Sequence, residues 1–202
     1  MNQTGQEGFD GETLESMTEI EHVGNALCLD FANTVNARPT PSNDWLATPA
    51  AAATWAHSAG VPLSSLPDES ALPAARDLRE SLYRIFAAVA RREESPRRDL
   101  DALADGYAEA ASRGRLQREK DLFTLATPGP RTLATLLGEV SASAVDLLTR
   151  GPLERIGECP SCGWLFLDTS RNGRRRWCSM ATCGSRDKAR RYYAAHTAGP
   201  AT

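Results

Sequence analysis

Apolar residues recur at helical spacing through most of the first 150 residues, and this pattern predicts a mainly α-helical fold. In the longest such segment Leu78, Leu82 and Ile85 fall on one stripe, while Arg79 and Arg84 lie off it. A stripe of this kind buries one face of a helix and leaves the charged face in water. The predicted helices cover 26–35, 50–59, 72–92, a segment that Ser95-Pro96 opens, and 131–150.

Segments without helical spacing divide the chain into regions. The first 18 residues are mostly Gly, Glu, Gln, Thr and Ser and have little apolar surface to bury, so we expect a disordered acidic leader. Leu122, Phe123 and Leu125 stand among polar residues in 115–126, which predicts a short β-hairpin. The expected regions are the leader at 1–18, a helical domain at 19–151, a small cysteine-rich domain at 152–197 and a tail at 198–202.

The formal charge of −3 is unevenly distributed along the chain. Residues 151–202 contain nine Lys and Arg against four acids, a balance of +5, which leaves −8 for residues 1–150. A basic end on an otherwise acidic chain favours contact with a polyanion. The first twenty residues lack a secretory signal, and no apolar run approaches the ~18 residues of a membrane span. We therefore expect a cytoplasmic protein that does not enter a membrane.

Four of the five cysteines form two close pairs near the end of the chain, Cys159 with Cys162 and Cys178 with Cys183. Each pair can place two sulfurs on one edge of a tetrahedron, and Gly163 after the first pair indicates a tight knuckle. This spacing predicts one structural Zn²⁺ held by four thiolates. Because four thiolates leave no open position for water, we expect no catalytic zinc. The sequence also contains no phosphate-binding glycine loop, dinucleotide fingerprint or metallohydrolase signature, so we expect no enzymatic activity.

The residues around the cysteine pairs predict a treble-clef-like finger. Large side chains alternate over 164–168, as they do in a strand, and 169–173 has the composition of a turn. The segment 174–177 would then return as the second strand of a hairpin. Cys183 would lie near the start of a terminal helix that reaches about His196.

Seven basic residues in the same region are candidates for nucleic-acid contacts. Guanidinium groups match the geometry of phosphates, and each neutralised phosphate releases counterions. The same cations could instead form a solvated face or pair with acids of the helical domain. We expect Trp164, Phe166 and Trp177 to form the small core of the finger rather than a surface for base stacking. The predicted nucleic-acid-binding residues are Arg174, Arg175, Arg176, Arg186, Lys188, Arg190 and Arg191.

These residues resemble a known finger. The segment from Cys159 to Asn172, followed by Arg176-Trp177-Cys178-Ser179-Met180 and Cys183-Gly184-Ser185-Arg186, looks like the bacterial CGNR zinc finger. That family is named for a Cys-Gly-Asn-Arg tetrapeptide at its last ligand, and here Ser185 stands in place of the Asn. The segment from Gly24 to Thr34 is similar to the opening motif of the ABATE domain. The resemblance implies a stress-related transcription regulator, with Cys159, Cys162, Cys178 and Cys183 as zinc ligands and Arg186 as part of the signature.

The helical domain offers few candidates for chemistry. Asp30 and Asn33 would share one helix face, where they could line a small-ligand pocket or, as we expect, cap or cross-link helices. Cys28 lies between two leucines, which predicts a buried and unreactive thiol. The three histidines are scattered along the chain, so the sequence predicts no nucleophile–histidine site.

We therefore expect a DNA-binding transcription regulator whose finger engages phosphates and whose helical domain senses a small-molecule effector or forms a homodimer. The alternative is a protein–protein adaptor whose finger is a structural docking module. Salt dependence discriminates between them, because binding to phosphates weakens steeply with salt and apolar docking does not. In a third hypothesis the acidic leader covers the finger and lowers its affinity for polyanions.

Overall fold

The computed structural model describes residues 20–38 and 43–197. Within these residues the chain forms six α-helices and three two-stranded antiparallel sheets, so the predicted mainly α fold is confirmed. The predicted leader and tail lie outside the described residues. No helix in the described ranges is long and apolar enough to cross a membrane.

All five helices predicted before the cysteines are present, and the hairpin at 115–126 is confirmed. The helices are α1 (Leu27–Ala32), α2 (Pro49–Ser58), α3 (Leu72–Arg91), α4 (Arg97–Arg113), α5 (Leu133–Arg150) and α6 (Ser185–Thr197). The strand pairs are β1 (Val35–Asn36) with β2 (Asn43–Asp44), β3 (Arg115–Glu119) with β4 (Leu122–Ala126), and β5 (Ile156–Glu158) with β6 (Leu165–Leu167).

The centre of the fold is α3, which packs against α1, α4, α5 and β5. Its apolar stripe supplies Leu82, Ile85 and Phe86, all fully buried. The same core contains Ile156 from β5 and Leu165 from β6. Strands from the cysteine-rich region therefore complete the core of the helical region, and the two parts share one hydrophobic interior.

The first predicted helix, 26–35, is shorter in the structure and ends at Ala32. Beyond that residue the Thr34 hydroxyl donates to the carbonyl of Phe31 (2.8 Å), and Val35 enters β1. The carbonyl of Val35 accepts a hydrogen bond from the indole of Trp164 (2.7 Å). Contacts with the other end of the chain thus stop the helix, and no local pattern signals them.

The predicted finger hairpin is wrong in its second strand. Strand β6 lies in the predicted segment 164–168, but its partner is β5, which precedes the first cysteine pair. The segment 174–177 forms no strand. Instead the amide of Arg175 donates to Oδ2 of Asp168 (2.8 Å). A side-chain carboxylate, rather than the backbone hydrogen bonds of a sheet, therefore holds this segment.

Candidate zinc centre and basic surface

The first cysteine pair lies in the turn that joins β5 to β6. The amide of Cys159 donates to the carbonyl of Trp164 (2.8 Å), and the amide of Gly163 donates to the carbonyl of Cys159 (2.9 Å). Gly163 has a φ of +75°, and a Cβ there would lie 3.3 Å from Cβ of Arg38. L side chains rarely adopt this backbone conformation, so glycine is needed for the turn that positions Cys159 and Cys162.

The second pair reaches the same point from the C-terminal side. Cys183 lies in a π-helical turn, Met180–Gly184, that leads directly into α6. The hydroxyl of Ser179 caps this turn by accepting a hydrogen bond from the amide of Thr182 (3.3 Å). The expected position of Cys183 near the start of the terminal helix is confirmed.

The four cysteine sulfurs form one compact, buried cluster. All four lie within 4.8 Å of one another. The sulfur of Cys178 is 3.4 Å from that of Cys162 and 3.6 Å from that of Cys183. A tetrahedron with Zn–S bonds of about 2.3 Å separates its sulfurs by about 3.8 Å, so the cluster fits one zinc ion. The predicted cofactor therefore suits the site, with Cys159, Cys162, Cys178 and Cys183 as its ligands.

The charge that four crowded thiolates would carry also favours a divalent cation. The hydrogen bond between Cys159 and Cys162 lowers the pKa of Cys159 and raises that of Cys162, so the two neighbouring sulfurs resist carrying charge together. Four thiolates this close repel one another, and a bound cation removes that repulsion. Zinc accepts four sulfur ligands in this geometry and supplies folding stability to a segment too small to fold alone.

Aromatic side chains enclose the sulfurs. Trp164, Phe166 and Trp177 are all buried, and together with Val23 they surround the cysteine cluster. The expectation that they form the core of the finger is confirmed. Val23 comes from the N-terminal end of the described chain, so the finger core already includes a residue of the helical region.

Arg175 differs from the other predicted nucleic-acid contacts. Its guanidinium carbon lies 4.4 Å from the centre of the Phe166 ring. The guanidinium donates to the carbonyls of Val23 (2.8 Å), Trp177 (3.1 Å) and Cys178. Because these carbonyls occupy its donors, Arg175 has a structural role and is not one of the exposed cations of the finger.

The other six predicted contact residues are exposed, and we refer to them together as the basic surface. Its members are Arg174, Arg176, Arg186, Lys188, Arg190 and Arg191. The carboxylate of Asp187 lies beneath two of them and accepts from Arg190 (2.7 Å) and Arg191 (3.0 Å). Arg190 therefore pairs within its own helix and not with an acid of the helical domain.

The helix that carries most of the basic surface is itself unusually exposed. Among the described side chains of α6, only that of Asp187 is buried. The extensive contacts of α6 are with the turn that holds Cys183. A helix with almost no buried side chains gains little from core packing, so this one presents its side chains to a partner or to water.

A buried asparagine, Asn33, joins the finger to the helical domain. Nδ2 of Asn33 donates to the carbonyl of Leu165 (2.8 Å), and Oδ1 accepts from the amide of Leu165 (2.9 Å). We expected Asn33 to cap or cross-link helices; it does form a cross-link, but to strand β6. Because Asn33 is buried and its amide bonds to β6, it lines no ligand pocket with Asp30.

Sequence reasoning missed a second contact between the two regions. Glu158, beside the first cysteine, accepts a hydrogen bond from the hydroxyl of Tyr83 (2.8 Å) and two from the guanidinium of Arg91 (both 2.8 Å). Burial and this contact with Glu158 raise the pKa of Tyr83. Arg91 and Glu158 lie 67 positions apart in the sequence, so no local spacing could have indicated the pair.

The remaining candidates in the helical domain are structural. Burial raises the pKa of the Cys28 thiol to about 11, so the expectation of an unreactive cysteine is confirmed. Asp30 accepts a hydrogen bond from the amide of Gly24 (2.7 Å). Across residues 20–38 and 43–197, the four-cysteine cluster is the one group of three or more His, Cys, Asp or Glu arranged to hold a metal ion.

Two family models match the chain. The model of the ABATE family, described as "Putative stress-induced transcription regulator", matches residues 25–151. The model of the CGNR zinc finger matches residues 155–196, which include all four clustered cysteines and the basic surface. A comparison with curated proteins gives no match. The resemblance inferred from the sequence is confirmed for both regions.

Proposed function

Since the chain belongs to the ABATE family and ends in a CGNR zinc finger, we propose that it is a zinc-stabilised, DNA-binding transcription regulator. The observation that carries this proposal is the exposure of six cations on the finger, four of them on α6. Such cations gain affinity for DNA by neutralising phosphates and releasing counterions. The description of the ABATE model supports the same function, which implies action in the cytoplasm.

The shape of α6 supports contact with a groove of DNA. The helix has 13 residues, and at 1.5 Å per residue it is about 20 Å long. The major groove is about 12 Å wide and admits one helix. Asp187 holds Arg190 and Arg191 close to the helix surface, so these two arginines are ordered before a phosphate arrives. This ordering lowers the entropic cost of forming the phosphate contacts.

A cavity in the helical domain supports effector binding. It lies between α4, α5 and the base of the β3–β4 hairpin, and its volume is about 460 Å³. Sites for small molecules typically measure about 300–1,000 Å³. Tyr107, Thr135, Arg131 and Glu139 contribute polar groups to its wall. An effector bound there would raise the melting temperature of the wild type but not of an Ala142→Trp variant, which fills the cavity.

The alternative function is a protein–protein adaptor, and one observation favours it. The hairpin exposes Leu116, Leu122, Phe123 and Leu125 by 72%, 73%, 67% and 50%. Four large apolar side chains on a two-stranded hairpin suit a protein contact, either with a partner or within a homodimer. An adaptor would bind its partner with little dependence on salt, whereas a regulator would bind DNA with steep dependence.

We propose no enzymatic activity for the zinc centre. Four cysteines complete the tetrahedral coordination of zinc, so a bound ion would have no position for water or substrate. Zinc would act here by holding the knuckle, the loop after it and the start of α6 in one arrangement.

Fluorescence anisotropy with random duplex DNA and zinc-loaded protein tests the proposal. The variant Arg186→Ala/Lys188→Ala removes two cations of the basic surface. Its matched control, Arg97→Ala/Arg98→Ala, removes the same charge from α4, where both side chains are exposed. We expect the first variant to lower the slope of log affinity against log salt by about two, because each phosphate contact contributes about one. Equal binding by the first variant and the wild type would refute the assignment of this surface.

A further inference from the structure

We propose that the basic surface is a docking site for residues 1–19 of the same chain, which compete there with DNA. Competition with DNA rests on the proposed function, whereas the docking of residues 1–19 does not. Three observations support the docking: the point where the N-terminal part of the chain is fixed on the finger, the charges on the two segments, and the distance that 19 residues can span.

The described chain starts against the helical domain and meets the finger at Val23. Ile20 packs on the main core, and the ring of His22 lies 2.8 Å from the hydroxyl of Ser58. Val23 packs against the cysteine cluster, and its carbonyl accepts the guanidinium of Arg175 (2.8 Å). The carbonyl of Gly24 accepts the amide of Leu167 in β6 (2.8 Å). Residue 19 is therefore four positions along the chain from a point fixed on the finger, so residues 1–19 are tethered close to the module that carries the basic surface.

The two segments have complementary charge. Residues 1–19 contain five acids and neither Lys nor Arg. The basic surface presents six cations, and Asp187 offsets one of them. Apolar groups are also present on both sides, since the N-terminal segment contains Phe9, Leu14 and Met17, and the finger exposes Met180 and Tyr192 by 71% and 59%.

The segment is long enough to cover the surface. Nineteen residues span at most about 60 Å when extended, which is three times the roughly 20 Å length of α6. A short tether gives an effective concentration in the millimolar range. If the untethered segment binds with a Kd of about 0.1 mM, an effective concentration of about 1 mM lowers the apparent affinity for DNA about tenfold.

The first test compares DNA binding by chains that differ only in the segment or in a matched set of acids. One variant lacks residues 2–19, and a second carries Asp10→Asn/Glu12→Gln/Glu15→Gln. The control, Glu93→Gln/Glu94→Gln/Asp105→Asn, makes the same change in net charge at exposed positions of the helical domain. We expect about tenfold tighter binding for the first two variants and a much smaller effect for the control. Equal gains for the control and the second variant would overturn the proposal.

A second measurement omits DNA, so that the two proposals can fail separately. A fluorescent peptide of residues 1–19 is titrated with the zinc-loaded chain that lacks residues 2–19. Saturable binding that Arg186→Ala/Lys188→Ala weakens supports the docking, even if no form of the protein binds DNA. No binding at millimolar concentration, together with unchanged DNA affinity on deletion, overturns the docking and leaves DNA binding standing. In the first test, the loss of DNA affinity caused by residues 1–19 should not depend on protein concentration. A loss that grows with protein concentration would show that the segment docks on another copy, and would overturn the intrachain contact.

Discussion

Two adjacent arginines of the finger have different environments. The side chain of Arg174 is exposed, while that of Arg175 is half-buried and donates to carbonyls of Val23, Trp177 and Cys178. In the sequence they are identical residues in one basic run, and both fit a phosphate contact. The direction of each side chain depends on Asp168, which holds the Arg175 amide and so fixes which arginine faces inward.

This difference predicts opposite effects for two single substitutions. Arg175→Ala should lower the free energy of unfolding by about 2–3 kcal/mol, because buried carbonyls lose a charged donor. Arg174→Ala should change that free energy by less than about 0.5 kcal/mol, as exposed substitutions usually do, but should weaken DNA binding. Urea unfolding and anisotropy on the two zinc-loaded variants measure both effects. Equal losses of stability would contradict the assignment of roles.

At the scale of elements, the fold depends on the hydrogen-bonded contact between α1 and β6. Asn33 occupies both backbone groups of Leu165 with its own amide, and all of these atoms are buried. Nearby, the amide of Leu167 and the side chain of Asn25 extend the same contact along β6. A short helix and a three-residue strand, each too small to be stable alone, hold each other in place.

This contact predicts that replacing Asn33 lowers the free energy of unfolding strongly, whereas replacing Asn36 changes it little. Asn33→Ala leaves the N–H and C=O of Leu165 buried without partners, and we expect it to cost about 2–4 kcal/mol. Asn36→Ala, at an exposed position of β1, should cost less than about 0.5 kcal/mol. Urea denaturation monitored by circular dichroism measures both. A similar midpoint for the two variants would show that the Asn33 contact adds nothing to stability.

Some elements were predictable from the sequence and others were not. The apolar stripe of α3 and the apolar residues set among polar ones at 115–126 are local patterns, and the structure contains both elements. Strand β5 consists of Ile156, Gly157 and Glu158, and three residues carry no periodicity that could predict a strand. The basic run 174–177 was expected to return as a strand but forms none, because its backbone bonds to the Asp168 carboxylate rather than to β6. Pairing between distant short segments is decided by tertiary contacts.

At the scale of the whole molecule, the finger is part of the main core. Ile156 and Leu165 pack among residues of α1 and α3, and Glu158 binds Tyr83 and Arg91 of α3. The two-part charge distribution was visible in the sequence, and so was the metal spacing. The shared core was not, because it depends on contacts between residues more than 60 positions apart.

The shared core predicts that zinc stabilises the helical domain as well as the finger. Structural zinc contributes about 10–16 kcal/mol in finger peptides, as much as the whole stability of many domains. Removing it with a chelator should therefore lower the melting temperature of the entire chain. Helical circular dichroism and tryptophan fluorescence, which reports from Trp55 in the core and Trp164 in the finger, should change in one transition. An unchanged helical transition after zinc removal would contradict a common core.

The measurement that tests the account most directly is the DNA affinity of the zinc-loaded full-length protein across a salt series. If the six cations of the basic surface meet phosphates, log affinity should fall linearly with log salt with a slope near −5, since each contact with B-DNA contributes about −0.9. A lower slope in Arg186→Ala/Lys188→Ala would assign part of it to α6. No binding at low salt, or an affinity that does not change with salt, would contradict DNA binding by this surface and favour the protein-docking function.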